Sequence, residues 1–210
     1  VSYAVKEIFL TLQGEGAHAG RPAVFCRFAG CNLWSGLEAQ RDGAVCGFCD
    51  TDFVGTDGSL GGRYASGAAL AAAVEEVWGA EMANRAVVLT GGEPLLQVDA
   101  ALIAALRGRG FWIAVETNGT IAAPEGLDWL CVSPKAHAPL VQRSGDELKL
   151  AFPQAGCDPG TFEGLAFGHF RLQPIDGPAR ERNTQAAIAY CLSHRAWRLS
   201  VQTHKMIGLR

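Results

Sequence analysis

Residues 86–116 read AVVLTGGEPLLQVDAALIAALRGRGFWIAVE: an apolar run over 86–90, the turn Gly91-Gly92-Glu93-Pro94, a helical pattern from about Gln97 to Arg107, and a second apolar run over 112–116. The outer runs are rich in β-branched and aromatic residues, which suits strands, while Leu102, Ile103 and Leu106 recur at the spacing that gives a helix one apolar face. The segment is a strand–helix–strand unit. Similar short runs lie at 23–28, 129–133, 147–152, 169–174 and 197–202, each bounded by Gly, Pro or polar residues, and Ser66 is placed to cap a helix carrying Leu70, Val74 and Val77. Alternating strands and helices imply parallel strands with right-handed crossovers. About six such units are too few for a closed eight-stranded barrel, so the expected fold is α/β, a partial (β/α) barrel, with residues 1–210 as one domain.

In such a fold the chemistry gathers beyond the carboxyl ends of the strands. Five segments fall there: Cys31, Gly91-Gly92-Glu93-Pro94, Glu116-Thr117-Asn118, Ser133-Pro134-Lys135 and Gln173-Pro174-Ile175-Asp176. Five coincidences on one rim favour a single site over scattered loops. With 49% hydrophobic and 19% charged residues the chain is expected to be globular, and its apolar runs are far shorter than the ~20 residues of a membrane span. A net charge of -3 with no basic patch predicts no nucleic-acid partner and a small-molecule substrate. No basic segment followed by an apolar one opens the sequence, which also lacks an initiator Met; a cytoplasmic location is the expectation.

Three of the seven cysteines crowd into C-x14-C-x2-C, at Cys31, Cys46 and Cys49. In a reducing compartment such crowding points to metal ligation rather than disulfides. A structural zinc site usually closes with four protein ligands, whereas three cysteines on an iron–sulfur cubane leave one iron open. Spacing alone leaves cluster, zinc and inert thiols open, in that order. Cys26 is the other neighbour, but alternation along Val24-Phe25-Cys26-Arg27-Phe28 puts it on the opposite face from Arg27. Arg27 is given the lumen because a buried cation needs a partner or ligand, while a lone Cys packs against a helix as a small hydrophobe. Cys131, Cys157 and Cys191 have no metal spacing.

The cysteine loop after a strand, with Gly91-Gly92-Glu93-Pro94 at the end of a later one, resembles the radical S-adenosylmethionine superfamily. That resemblance implies a 4Fe-4S cluster on Cys31, Cys46 and Cys49, with the open iron chelated by S-adenosylmethionine and the methionyl amine received near Gly92 and Glu93, whose carboxylate could accept from an ammonium. Reductive cleavage then yields a 5'-deoxyadenosyl radical. The superfamily spacing is C-x3-C-x2-C; here the first gap is expanded over roughly residues 32–45, a modified cluster loop.

Leu12-Gln13-Gly14-Glu15-Gly16, Cys49-Asp50-Thr51, Glu116-Thr117-Asn118-Gly119, Ser133-Pro134-Lys135 and Gln173-Pro174-Ile175-Asp176 together resemble the 7-carboxy-7-deazaguanine synthases over nearly the whole chain. The family converts 6-carboxy-5,6,7,8-tetrahydropterin to 7-carboxy-7-deazaguanine with loss of ammonia, as a carbon–nitrogen lyase on the route to queuosine and other deazapurines. In that reading the deoxyadenosyl radical abstracts hydrogen at C6, the ring contracts, and the cosubstrate is regenerated. The resemblance implies S-adenosylmethionine contacts from Phe48, Cys49, Asp50, Gly92, Glu93, Ser133, Pro134, Lys135, Gln173, Pro174, Ile175 and Asp176, and Mg2+ at Thr51. Substrate contacts fall to Leu12, Gln13, Gly14, Arg27, Thr90, Glu116 and His204. Arg27 and His204, the latter near the last strand's end, suit the pterin carboxylate, and Gln13 and Glu116 its donor–acceptor edge; Glu15 is read as a solvated loop charge. A homodimer and an electron donor such as flavodoxin or ferredoxin complete the expectation. The rivals are another radical S-adenosylmethionine enzyme, such as a glycyl-radical activating enzyme, and a zinc-stabilised binding module.

Overall fold

All seven apolar runs become strands in the computed structural model, which describes residues 2–209. The strands are β1 (Tyr3–Leu12), β2 (Pro22–Phe28), β3 (Gly62–Tyr64), β4 (Ala86–Gly91), β5 (Trp112–Thr117), β6 (Trp129–Val132), β7 (Ser144–Phe152), β8 (Ala166–Pro174) and β9 (Trp197–Leu199). The helices are α1 (Gly67–Trp78), α2 (Ala100–Arg107), α3 (Arg180–Ser193) and α4 (Thr203–Met206). Among these residues the strands form one nine-stranded sheet in the order β3-β1-β2-β4-β5-β6-β7-β8-β9. From β2 through β9 every neighbouring pair is parallel. The two edges do not meet, so this is the partial barrel expected from the unit count.

Local chemistry explains the helices between strands. The Ser66 hydroxyl accepts the Ala69 N–H at 3.2 Å, starting α1, and Leu70, Ala71 and Val74 face the sheet. Asp99 caps α2 by accepting the Leu102 N–H at 3.0 Å and also receives the Tyr3 hydroxyl at 2.7 Å, tying the helix to β1. The apolar stripes of α1 and α2 share one core with the outward-facing Val24, Cys26, Phe28, Val87, Leu89, Ile113 and Val115. Alternate residues of the same strands, Phe25, Arg27, Thr90 and Glu116, therefore face the lumen. Cys26 is wholly buried in that core, as the alternation implied.

Several elements differ from the sequence reading. β1 carries Lys6 and Glu7 in mid-strand, and a bulge between Val5 and Glu7 breaks the alternation that would have marked it. It runs antiparallel to β2 and β3, so 23–28 is the second strand and not the first. Gln97 lies before α2, because its side chain accepts the Ala4 N–H at 2.6 Å and donates to the Ala29 carbonyl at 2.9 Å. β6 and β9 stop at Val132 and Leu199, short of Ser133 and Gln202. α3 writes no apolar stripe in the sequence, since Asn183 and Ala187 are its buried residues. No helix among the described residues is long and apolar enough to cross a membrane.

Candidate active site

A cavity of about 360 Å3 fills the lumen, opening among the loops at the carboxyl ends of the parallel strands. Cys31, Cys46 and Cys49 all line it. The strand-end glycines place Cys31: Gly91 has φ 124°, and a side chain at Gly92 would overlap the Gly30 carbonyl and meet the Cys31 Cβ at 3.0 Å. The Gly92 N–H donates to the Phe28 carbonyl at 3.2 Å and the Glu93 N–H to the Gly30 carbonyl at 2.9 Å, zipping the two strand exits together. Within the expanded loop the Arg41 guanidinium donates to the Gly47 and Cys49 carbonyls at 2.8 and 3.0 Å. It also lies 4.2 Å from the Trp34 ring centroid, and Trp34 packs edge-on against Phe53. Asn118 donates to Asn32 at 2.9 Å, and Asn32 to Thr120 at 2.7 Å, anchoring the loop to the β5 exit.

The thiols share one electrostatic environment. Burial pushes the Cys31 thiol up, against the pull of N–H groups from Leu33 and Trp34. The Cys46 thiol donates to Cys49, which raises Cys46 and, with burial opposing, lowers Cys49; the Thr51 N–H also points to the Cys49 sulfur. The N–H groups of Leu33 and Thr51 that point at the Cys31 and Cys49 sulfurs are contacts that favour thiolate. Among the described residues no three His, Cys, Asp or Glu converge where they could hold a single ion. Three thiols at one cavity are a donor set that suits a cluster keeping one iron open.

Phe48, Asp50, Thr51, Gly92, Ser133, Lys135, Gln173, Pro174, Ile175 and Asp176 line the same cavity. Two residues expected beside them do not. Glu93 is 0% exposed, and its carboxylate accepts the Leu95 N–H (2.9 Å), the Thr117 hydroxyl (2.8 Å) and the Asn118 N–H (2.8 Å). Burial raises its pKa while these donors oppose the rise. The expectation that this carboxylate receives an amine is corrected: it shapes the β5 exit, and Gly92 faces the cavity. Pro134 is likewise buried, its carbonyl accepting Gln154 Nε2 at 3.3 Å. Lys205, which the sequence reading did not select, bridges Asp50 and Asp176 at 2.6 and 2.7 Å and so joins the cysteine loop to the β8 exit.

Below the rim, Leu12, Gln13, Gly14, Arg27, Thr90, Glu116 and His204 line the remainder of the cavity. Leu12 ends β1, whose antiparallel course carries Gln13 and the following loop beneath the lumen. His18 of that loop stacks edge-on with Trp112 and Trp129, centroids 4.9 and 4.3 Å away, and closes the floor. Gln13 Nε2 donates to Glu116 at 2.9 Å. Glu15 is not a solvated charge: it accepts Lys149 Nζ at 2.6 Å and Gln202 Nε2 at 2.9 Å. Burial raises the Glu15 pKa, but the Lys149 ammonium and the Gln202 amide more than offset this and hold it below the usual carboxylate range. Lys149 also donates to Glu116 at 3.2 Å. The sequence held a signal for Lys149, a cation between the core residues Leu148 and Leu150, the same pattern that singled out Arg27. Arg27 Nε donates to Glu7 at 2.8 Å, and both line the cavity. His204 lies on α4, beyond the last strand, and a side chain at Gly14 would overlap its ring. Arg210 lies outside the described residues.

No family model matches the chain. It is 70% identical over 210 residues to a 7-carboxy-7-deazaguanine synthase from Bradyrhizobium diazoefficiens, covering all of both chains. It is 66% identical over 209 residues to a protein of the same name from Caulobacter vibrioides, again over all of both. At 39% identity, one from Bacteroides thetaiotaomicron matches over 98% of each chain. The crystal structure of QueE from Escherichia coli superposes with a TM-score of 0.69 at 27% identity, over 97% of this chain and 95% of that one.

Proposed function

The chain belongs to the 7-carboxy-7-deazaguanine synthase family, and from that premise we propose that it is a radical S-adenosylmethionine lyase converting 6-carboxy-5,6,7,8-tetrahydropterin to 7-carboxy-7-deazaguanine and ammonia. The observation that carries this reading is one cavity lined by three cysteines together with Arg27, Gln13 and Glu116. When bound, the cluster on Cys31, Cys46 and Cys49 and its S-adenosylmethionine supply the hydrogen-abstracting radical chemistry.

The chain's own residues bind, orient and exclude water. Gly92, whose missing side chain lets its backbone close on Gly30 and Cys31, faces the methionyl end of the cosubstrate. Phe48, Cys49, Asp50, Ser133, Lys135 and the 173–176 segment surround the rest, with Lys205 holding Asp50 and Asp176 in register. Arg27, whose Nε edge is taken by Glu7, and His204 receive the pterin carboxylate. Gln13 and Glu116, already bonded to each other, present an amide and a carboxylate edge to the ring. The His18–tryptophan floor keeps water from a radical that solvent would quench. Thr51 would offer one oxygen ligand to Mg2+, with substrate and water as its other ligands.

The enzyme functions in the cytoplasm as a homodimer, on the route to queuosine or another deazapurine, and draws electrons from a donor such as flavodoxin or ferredoxin. The test is an anaerobic assay of iron- and sulfide-reconstituted protein with S-adenosylmethionine, a reductant, Mg2+ and the carboxylated tetrahydropterin. Formation of 7-carboxy-7-deazaguanine is expected; a fully loaded protein that binds S-adenosylmethionine but makes no product overturns the reading.

A further inference from the structure

Lys149 stands at the centre of the floor, and neither the motif reading nor the proposed mechanism uses it. Its side chain is only 5% exposed, yet it lines the cavity and makes ion pairs with Glu15 at 2.6 Å and Glu116 at 3.2 Å. The groups that face it come from four elements: Glu15 from the loop after β1, Glu116 from β5, Cys131 from β6 and Glu147 from β7 itself. Glu147 is committed elsewhere, accepting the Ala17 N–H at 2.8 Å. Glu15 is held from its other side by Gln202, and Glu116 by Gln13. Burying a cation is costly unless the geometry of its partners is close and complete. A hydrophobic residue would fill β7 more cheaply, so a reason to keep a charge here lies with the carboxylate that reaches the cavity.

We propose that Lys149 is a positioning residue for the pterin ring: it fixes the Glu116 carboxylate, together with Gln13, in the orientation that meets the ring's donor edge. The inference rests on the proposed function. Lys149 acts through Glu116, since two of its three N–H donors are taken by the Glu15 and Glu116 carboxylates. Removing the cation leaves Glu116 beside Glu15 without the charge that both share, so the carboxylate turns away and the ring loses an acceptor.

The test is steady-state kinetics of the anaerobically reconstituted holoenzyme, comparing parent, Lys149→Met, Glu116→Gln and the double variant, with iron content and S-adenosylmethionine affinity measured for each. Lys149→Met is expected to raise KM for the carboxylated pterin by at least roughly tenfold, with kcat at saturation within about threefold and S-adenosylmethionine binding unchanged. In the Glu116→Gln background the same substitution is expected to add nothing, because the group through which Lys149 acts has already lost its charge. An unchanged KM in folded, cluster-loaded Lys149→Met overturns the inference, and so does a full tenfold cost on top of Glu116→Gln. Should Lys149→Met not fold, the double variant, which carries one buried negative charge fewer, decides against Glu116→Gln alone by the same criterion. A parent enzyme that neither binds nor turns over the pterin overturns the proposed function along with this inference; normal parent turnover with an indifferent Lys149→Met overturns this inference only.

Discussion

At the rim of the cavity the cysteines are placed by main chain, with the Gly92 and Glu93 N–H groups on the Phe28 and Gly30 carbonyls at 3.2 and 2.9 Å. On the lumenal faces of the strands the side chains are placed by charge, with Lys149 between Glu15 and Glu116 and Arg27 against Glu7. The contrast follows from what each end handles. A thiol that is to accept metal needs its sulfur free, so the positioning contacts reach it through the backbone: Gly92 packed against Gly30 and Cys31, and the Arg41 guanidinium on the Cys49 carbonyl. A ring and a carboxylate in a dry lumen need fixed polar partners, and buried charges persist only when paired. The rim should therefore fail when a ligand or a bare backbone is lost, and the floor when charge balance is lost.

The largest expected effect is at the cysteines. Alanine at Cys31, Cys46 or Cys49 is predicted to abolish cluster assembly, while Cys26→Ala, in the helix-facing core, retains it; iron and sulfide content after anaerobic reconstitution decides, and loss of iron in Cys26→Ala would misplace the ligand set. Next comes Gly92→Ala, whose methyl would overlap the Gly30 carbonyl. A forced backbone shift of this kind costs about 1–3 kcal/mol. Reduced cluster loading is expected, whereas Gly43→Ala, with nothing within 4 Å of the added carbon, should match the parent. Equal loading in both variants would show that the rim does not depend on this close approach.

At the floor, Arg27→Ala should weaken carboxylated-pterin binding while leaving S-adenosylmethionine binding unchanged. Loss of a charged hydrogen bond is worth about 1.5–3 kcal/mol, or one to two decades in affinity. Parallel loss of both ligands by titration calorimetry would mean a folding defect instead. Thr51→Ala should blunt the stimulation of turnover by Mg2+ without affecting the cluster, and superimposable metal-response curves would remove Thr51 from the site. The smallest effect is in stability against acid. Because the folded Glu15 carboxyl is held below its ordinary value, its pairing stabilises the fold above an unfolded pKa of roughly 4.3 and is lost as pH falls through the folded value. Glu15→Gln should therefore show a shallower fall in denaturation midpoint below about pH 4.5 than the parent; identical acid limbs would remove the Glu15 pairing as a source of acid sensitivity.

Much of this architecture is legible in the chain because its signals are local. An apolar run bounded by glycine, a Ser three residues before a helical N–H, and alternation in Val24-Phe25-Cys26-Arg27-Phe28 each depend on neighbours in sequence, and each predicts the element or face observed. The signals fail where partners are distant. β1 hides behind a bulge and two mid-strand charges, Lys6 reaching Asp52 and Asp57, and Glu7 reaching Arg27. Glu15 looks like a loop charge because its cation is 134 positions away. Glu93 looks like a ligand because nothing nearby in sequence announces that Thr117 and Asn118 will occupy its carboxylate.

Residue order by itself determined the parallel strand–helix alternation, the incomplete barrel, the three-cysteine loop and the lumenal face of Arg27, because hydrophobic period, turn chemistry and ligand spacing act over a few residues. Only the tertiary structure decided that the loop after β1 floors the lumen, that Glu93 is structural, that Lys205 links the cysteine loop to the β8 exit, and that Lys149 holds the floor's carboxylates. Those outcomes depend on which charges become desolvated together, and desolvation is a property of the packed chain.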